Sequence, residues 1–170
     1  MADSIIILGS PRKDGNTRLI SDIISKQIDC NIINLSEKLI NYYEYDDTKR
    51  DDDFIEIIES LLKYKNIIFA TPVYWYSMSA ILKTFFDRLS DLITIRKDLG
   101  RAMKDKNIFL ISCSANSIEP EGFSIPFKET SKYFDMNFID YLHVWKRDKE
   151  FSSELSPKID KFVKKVLEFN

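Results

Sequence analysis

The chain has 170 residues, 44% hydrophobic and 31% charged, the balance of one globular domain rather than a disordered tail. Lys plus Arg number 25 against 27 Asp plus Glu, a formal net charge of −2, so no basic excess exists to hold a nucleic-acid backbone. Two cysteines, Cys30 and Cys113, lack any CxxC spacing. That excludes a disulfide framework or a cysteine metal centre and suits a reducing cytoplasm.

The N-terminus offers only four apolar residues, Ile5 to Leu8, behind an acid at Asp3, which is no secretory signal. No run reaches the roughly 18 apolar residues that a membrane helix needs. Repeats and low-complexity tracts are absent from the sequence. A single domain over residues 1–170 is expected.

Short apolar runs alternate with helical patterns. Ile5-Ile6-Ile7-Leu8 reads as a buried strand stopped by Gly9. Leu19, Ile20, Ile23, Ile24 and Ile28 then share one helix face, and Asn31 to Leu35 holds a second strand. A tyrosine-rich connection through Tyr42, Tyr43 and Tyr45 follows. Asp53-x-x-Glu56 has the form of a capping box, and Asp51 to Asp53 read as a helix entrance. Behind them Phe54, Ile57, Ile58, Leu61 and Leu62 make an amphipathic stripe.

Ile67 to Ala70 is the third strand, expected to stop at Thr71-Pro72. Ile81, Leu82, Phe85, Leu89, Leu92 and Ile93 predict one continuous helix. Ile108 to Ile111 is the fourth strand, leading into a small polar loop from Ser112 to Ser117. A helix is expected between Phe123 and Phe134, and an edge strand from Phe138 to Trp145, interrupted by Asp140 and His143. Leu155, Ile159, Phe162, Val163, Val166 and Leu167 form the closing helix. Uniformly apolar strands alternating with helices mean a parallel sheet covered on both faces. Ligands of such sheets bind at the carboxyl ends of the strands, so the loops after strands one, three and four carry the information.

The first of these loops is Gly9-Ser10-Pro11-Arg12-Lys13-Asp14-Gly15-Asn16-Thr17. Its hydroxyls, amide and helix N-terminus can surround a phosphate, with Arg12 adding a bidentate contact. It is neither a Walker A loop nor a dinucleotide GxGxxG, because Asn16 replaces the lysine and Pro11 the second glycine. A plain strand-to-helix turn capped by Asn or Thr is the competing reading. The second loop, Thr71-Pro72-Val73-Tyr74-Trp75-Tyr76-Ser77-Met78, sets three aromatics in a row behind a buried strand. They suit a flat, partly apolar ring, or else a subunit interface or local aromatic cluster. The third, Ser112-Cys113-Ser114-Ala115-Asn116, offers small donors and close backbone approach.

GSPRKDGNT followed by TPVYWYSMSAILKTFFDR resembles the NAD(P)H-dependent FMN reductases, over nearly the whole chain in order and spacing. The resemblance implies a flavodoxin-like three-layer α/β sandwich with a five-stranded parallel sheet. It further implies FMN as cofactor and NADPH or NADH as electron donor. By position, Ser10, Arg12, Asn16 and Thr17 match residues that bind the FMN phosphate in such proteins. Pro72, Val73, Tyr74, Trp75, Tyr76, Ser77 and Met78 match the loop lining the isoalloxazine ring. Ser112, Ser114 and Asn116 match a more variable flavin-side loop. Relatives that hold an iron–sulfur centre have cysteines where residues 40–50 here carry tyrosines, so no cluster is expected.

In such enzymes hydride passes from the nicotinamide to the flavin, and the cofactor carries the chemistry. No catalytic triad or metal site is visible, and Tyr74 and Tyr76 read as packing on the ring edge ahead of proton donation. The implied enzyme passes electrons to a quinone, free flavin, nitro or azo acceptor and works as a homodimer. The alternative is an FMN electron carrier reduced by a partner protein, which a charge of −2 mildly disfavours. A phosphorelay receiver would need acids where Leu8-Gly9-Ser10 stand. The single histidine, His143, reads as a surface or internally satisfied strand residue, Cys113 as a small buried hydrophobe, and Lys83 with Asp87 as a surface pair. Tyr42, Tyr43 and Tyr45 face either a flavin or a subunit.

Overall fold

Residues 5–8, 67–70 and 108–111 are almost fully shielded from solvent, and their side chains divide by strict alternation between two cores. The computed structural model describes residues 3–45, 51–147, 150–151 and 155–170. Met1, Ala2 and residues 46–50 of the tyrosine-rich connection lie outside that set. Ile5, Ile7, Ile67, Phe69, Ile108 and Leu110 meet one helical layer, whereas Ile6, Leu8, Ile68, Ala70, Phe109 and Ile111 meet the other. A two-residue side-chain period on a doubly covered sheet produces this division.

The strands are β1 (Ser4–Leu8), β2 (Asn31–Asn34), β3 (Asn66–Pro72), β4 (Asn107–Ser114) and β5 (Asn137–Arg147). They pair in parallel in the order β2-β1-β3-β4-β5, with a two-residue antiparallel β6 (Glu150–Phe151) on the far end of β5. This is the flavodoxin-like order, and its direction reverses between β1 and β3. Helices α1 (Asn16–Ile28) and α7 (Leu155–Leu167) cover one face. The other is covered by α2 (Phe54–Leu61), α3 (Ala80–Arg88), α4 (Asp91–Thr94), α5 (Lys97–Ala102) and α6 (Ile125–Tyr133).

Three local expectations change. The helix predicted across Ile81 to Ile93 is broken: Leu89 and Ser90 bond back three residues to Phe86 and Asp87, and α4 starts afresh at Asp91. The apolar positions stay on one face because the break is short. Strand β3 continues through Pro72, beyond Leu8, where β1 ends. Val73 donates toward β4, to the Cys113 carbonyl (2.8 Å), so the missing Pro72 N–H would face the side where β1 has stopped. Finally, no capping box forms at α2. Asp53 makes no side-chain cap and accepts from Leu39 N–H (2.8 Å), while Asp52 accepts from Phe54 N–H (3.0 Å).

Asp52 has a second role that the acidic run conceals. Arg88, 1% exposed, bonds the Asp52 carboxylate, Asp91 Oδ2 (2.9 Å) and the Asn41 carbonyl (3.1 Å), with its guanidinium over the Phe54 ring. Burial pushes the Asp52 carboxyl up, but hydrogen bonds from Arg88 and from the Asn41 and Phe54 amides outweigh it and hold the group below its ordinary range. Lys83 and Asp87 do pair on the exposed side of α3.

Candidate functional site

At the carboxyl ends of β1 and β3 the first two loops are tied together by backbone and side-chain hydrogen bonds. Gly9 donates to the Ala70 carbonyl (2.8 Å), joining loop one to β3. Ser79 donates its hydroxyl proton to the Gly9 carbonyl (2.6 Å), accepts from Leu82 N–H (3.2 Å), and donates its own N–H to Thr71 Oγ1 (3.1 Å). One serine thus caps α3 and joins loops one and two. A Cβ on Gly9 would lie 2.6 Å from Leu82 Cβ, so only glycine lets loop one approach α3 this closely.

These ties frame two adjoining clefts. The inner one, about 430 Å³, is lined by Ser10, Arg12, Asn16, Thr17, Pro72, Val73, Tyr74 and Ser114, together with Asp14, Gly15, Cys113 and Ala115. The first helical bond of α1 runs from Leu19 N–H to the Gly15 carbonyl, which leaves the N–H groups of Asn16, Thr17 and Arg18 without helical partners. Gly15, not Asn16 or Thr17, occupies the N-cap, and it supplies no side-chain cap. Arg12 is exposed and has no carboxylate partner among the described residues. Asp14 is the single acid among the lining residues. Thr17 hydrogen-bonds Cys113 beneath the cleft, and burial holds that thiol up at about 12, so Cys113 is an inert wall.

The outer cleft, about 690 Å³, shares Val73, Ser114 and Ala115 with the inner one and adds Trp75, Tyr76, Asn116 and residues 118–121. Its aromatic rim is a two-residue hairpin. Tyr74 N–H donates to the Ser77 carbonyl (2.9 Å) and Ser77 N–H to that of Tyr74 (3.1 Å), with Trp75 at φ 48° and Tyr76 at φ 65° between them. Two consecutive positive φ values are what a type I′ turn requires, normally of Asn and Gly. Here a Trp and a Tyr adopt them while 91% and 76% exposed. Such strain is stored where the rest of the structure over-determines it, characteristically at functional sites.

Of the residues that sequence points to, Ser77, Met78 and Ser112 line neither cleft. The hairpin reverses the chain, so Ser77 closes the turn with its backbone and Met78 enters the core with Phe85 and Leu82. Ser112 lies within β4, completely buried, and meets β5 instead. Its Oγ is 2.7 Å from both Tyr141 Oη and His143 Nδ1. His143 Nε2 reaches the Asn116 carbonyl and Ser114 Oγ, each at 3.2 Å. Tyr141 stacks on Phe123, and its burial raises the phenol further than the Ser112 hydrogen bond lowers it. Sequence reading treats His143 as a surface or internally satisfied strand residue; both its ring nitrogens are hydrogen-bonded. That its partners belong to the third loop follows only from the β4–β5 register, Ser112 opposite His143.

Tyr42, Tyr43 and Tyr45 line neither cleft; Tyr42 borders a separate groove with Leu35 and Ile81. Among the described residues no helix is long and apolar enough to cross a membrane.

The comparisons with known proteins converge on one family. Over 149 residues, the chain is 28% identical to a protein of Bacillus subtilis (strain 168) named as an NAD(P)H-dependent FMN-containing oxidoreductase, covering 81% of each chain. It is 29% identical over 97 residues to an NADPH azoreductase of Bacillus sp. (strain OY1-2), spanning 56% of this chain and 54% of that one. Among solved structures, the Trp repressor binding protein from Bacillus subtilis superposes with a TM-score of 0.70 at 27% identity, over 87% of this chain and 88% of that one. An FMN-dependent NADH-azoreductase from Bacillus anthracis shares the fold at a TM-score of 0.69 and 11% identity, over 98% and 99% of the two chains. The profile of the NADPH-dependent FMN reductases matches residues 4–121, well over half of the chain, which therefore belongs to that family of flavin oxidoreductases.

Proposed function

We propose that the chain holds FMN across the two clefts, accepts hydride from NADPH or NADH, and passes electrons to a quinone, free flavin, nitro or azo acceptor. The observation that carries this reading is the meeting, at the β1/β3 reversal, of a polar cleft at a helix N-terminus with a larger aromatic one. The residues present fit the cofactor. Three unpartnered backbone N–H groups, Ser10, Thr17 and the free Arg12 guanidinium suit a phosphate dianion. Pro72, Val73 and Tyr74 line the inner cleft and Val73 continues into the outer one, so a flat ring can lie against their backbone.

Bound FMN supplies the hydride-accepting centre. The chain's part is to bind and orient. Arg12 and the first turn of α1 neutralise the phosphate, and the ring loop fixes the flavin plane. The outer cleft, bounded by Trp75, Tyr76 and Asn116, leaves room for nicotinamide and then for the acceptor. Ser77 contributes by closing the hairpin and Met78 by anchoring its end in the core, while Ser112 ties β4 to Tyr141 and His143 of β5.

Trp75 at 91% exposure leaves a large aromatic surface uncovered, and Ile118 beside the same cleft is 80% exposed. A second copy of the chain laid on this rim would cover both and deepen the outer cleft, so the working form is a homodimer. Cysteines that are both free, with thiols held up at about 12 by burial, suit work in a reducing cytoplasm.

Anaerobic titration tests the reading. The FMN-loaded protein should show a shifted flavin spectrum, and NADPH or NADH alone should bleach it. Bleaching only by dithionite or by a reductase partner would point to an electron carrier instead.

A further inference from the structure

His143 sits on β5, outside both clefts, yet its ring touches two residues that line them. Asn116 offers a carbonyl that can only accept, so Nε2 carries a proton and donates. In the neutral ring Nδ1 is then an acceptor, and the hydroxyl proton that fills it comes from Ser112. The Ser112 oxygen in turn accepts from Tyr141, whose ring is fixed by stacking on Phe123. On the loop side, Ser114 donates its hydroxyl to the Asn116 carbonyl (2.7 Å) and accepts from Asn116 N–H (3.1 Å). The chain of donors therefore runs one way, from Tyr141 through Ser112 to His143 and on to the third loop. Each proton in it is placed by the acceptor that follows.

This network has a geometric consequence. Ser114 and Ala115 form the wall that the two clefts share, and Asn116 belongs to the outer cleft alone. Beyond Ser114 the chain has left β4, and Ser114 is itself the last residue paired with β5. The imidazole is thus the side-chain strut that carries the rigidity of the sheet out to the loop.

We infer that His143 is a positioning residue: through its Nε2–H it fixes residues 114–116, and so sets the shape of the outer cleft that receives nicotinamide and acceptor. The inference rests on the functional reading above. It assigns His143 no contact with the flavin and no proton transfer.

Two conservative replacements separate its halves. A glutamine amide can reach where Nε2 lies and keep the donor to Asn116, while losing Ser112. An asparagine amide can reach where Nδ1 lies and keep Ser112, while losing the loop. With FMN-loaded protein, NADPH and 1,4-benzoquinone as probe acceptor, H143N should raise the KM for NADPH. Loss of one neutral hydrogen bond sets the size at roughly 3- to 10-fold. H143Q should stay near the wild-type value, and kcat and FMN affinity should change less than KM in both.

A second readout does not depend on turnover. The chain contains a single histidine, so its imidazole gives one resolved set of signals in 1H–15N correlation spectra. The neutral ring should be protonated at Nε2. An Nδ1–H tautomer overturns the inference. So do equal KM changes in H143N and H143Q, or unchanged KM in both with a common drop in Tm, which would make His143 a stability residue only. Wild-type protein that leaves the FMN spectrum unshifted would overturn the functional reading, and this inference with it.

Discussion

The two ends of the sheet are built on opposite rules. At the amino end, Ser4, Asn66, Asn107 and Asn137 stand side by side at the starts of β1, β3, β4 and β5. Asn137 donates to Asn107 Oδ1 (3.4 Å), Asn107 to Asn66 Oδ1 (2.9 Å), and Asn66 to both Ser4 Oγ (3.2 Å) and Asn170 Oδ1 (2.7 Å). Asn170 is thereby tied across the bottom of the sheet. At the carboxyl end the N–H groups of Asn16, Thr17 and Arg18 have no helical partners, and two aromatic residues sit strained and exposed. The closed end satisfies its buried polar atoms internally; the open end leaves backbone donors of a helix N-terminus for a ligand. Stability and binding are therefore expected to respond to different substitutions.

The largest effect belongs to a closed, buried ion-pair centre. Arg88→Ala would leave Asp52 and Asp91 buried without their shared cation, and losing one partner of a buried ion pair costs about 3–5 kcal/mol. Chemical denaturation should read that loss at neutral pH. The pH dependence has a definite sign. The Asp52 carboxyl is held low in the folded state, so its contribution is present above the unfolded value of about 4 and fades as pH falls through the folded value. The stability gap between wild type and Asp52→Asn should accordingly narrow only in strong acid. A gap that widens on acidification would contradict the assignment.

At the open end, Arg12→Ala should leave stability nearly unchanged and weaken FMN by roughly 1.5–3 kcal/mol, on the order of 10- to 150-fold. Riboflavin, which lacks the phosphate, should bind the variant about as well as the wild type. Fluorescence titrations with both flavins give the comparison, and equal losses would show that Arg12 does not face the phosphate. Asn107→Ala is the converse. It strands the buried Asn66 Oδ1, a loss of about 1–3 kcal/mol, and should lower the urea midpoint with no change in FMN affinity.

How far the sequence carries follows from the same division. Strands buried on both faces announce themselves as unbroken apolar runs, and Ile5 to Leu8 or Ile108 to Ile111 could be placed without coordinates. Loop one was legible as well, because Ser10, Arg12, Asn16 and Thr17 fall within a single strand-to-helix connection and line a single cleft. The break after Arg88 was not, since the apolar period runs through it unchanged. Nor was the burial of Arg88, whose partner Asp52 stands 36 residues away inside an acidic run that reads as a helix entrance. The asparagine ladder did leave a signal: Asn66, Asn107 and Asn137 each open a strand. Recurrence of one polar residue at that point marks a shared edge. Where Met78 and Ser112 send their side chains was not legible for a related reason, because one residue of offset at a hairpin or strand end moves a side chain from cleft to core.

The smallest effect is also the one whose sign is least expected. Trp75 holds φ 48° although no described residue covers its ring. A left-handed conformation costs an ordinary residue roughly 1–2 kcal/mol that glycine escapes, offset by about 1 kcal/mol for glycine's greater freedom when unfolded. Trp75→Gly should therefore leave stability unchanged or raise it by up to about 1 kcal/mol, where deletion of a large aromatic ordinarily destabilises. The same substitution removes the rim of the outer cleft, so NADPH oxidation should slow while the protein melts no earlier. Opposite movement of Tm and turnover would show that the hairpin is strained for what it binds. A Trp75→Gly protein that melts several degrees lower would instead mean that the ring packs within the fold, and the contrast between the two ends of the sheet would lose its sharpest instance.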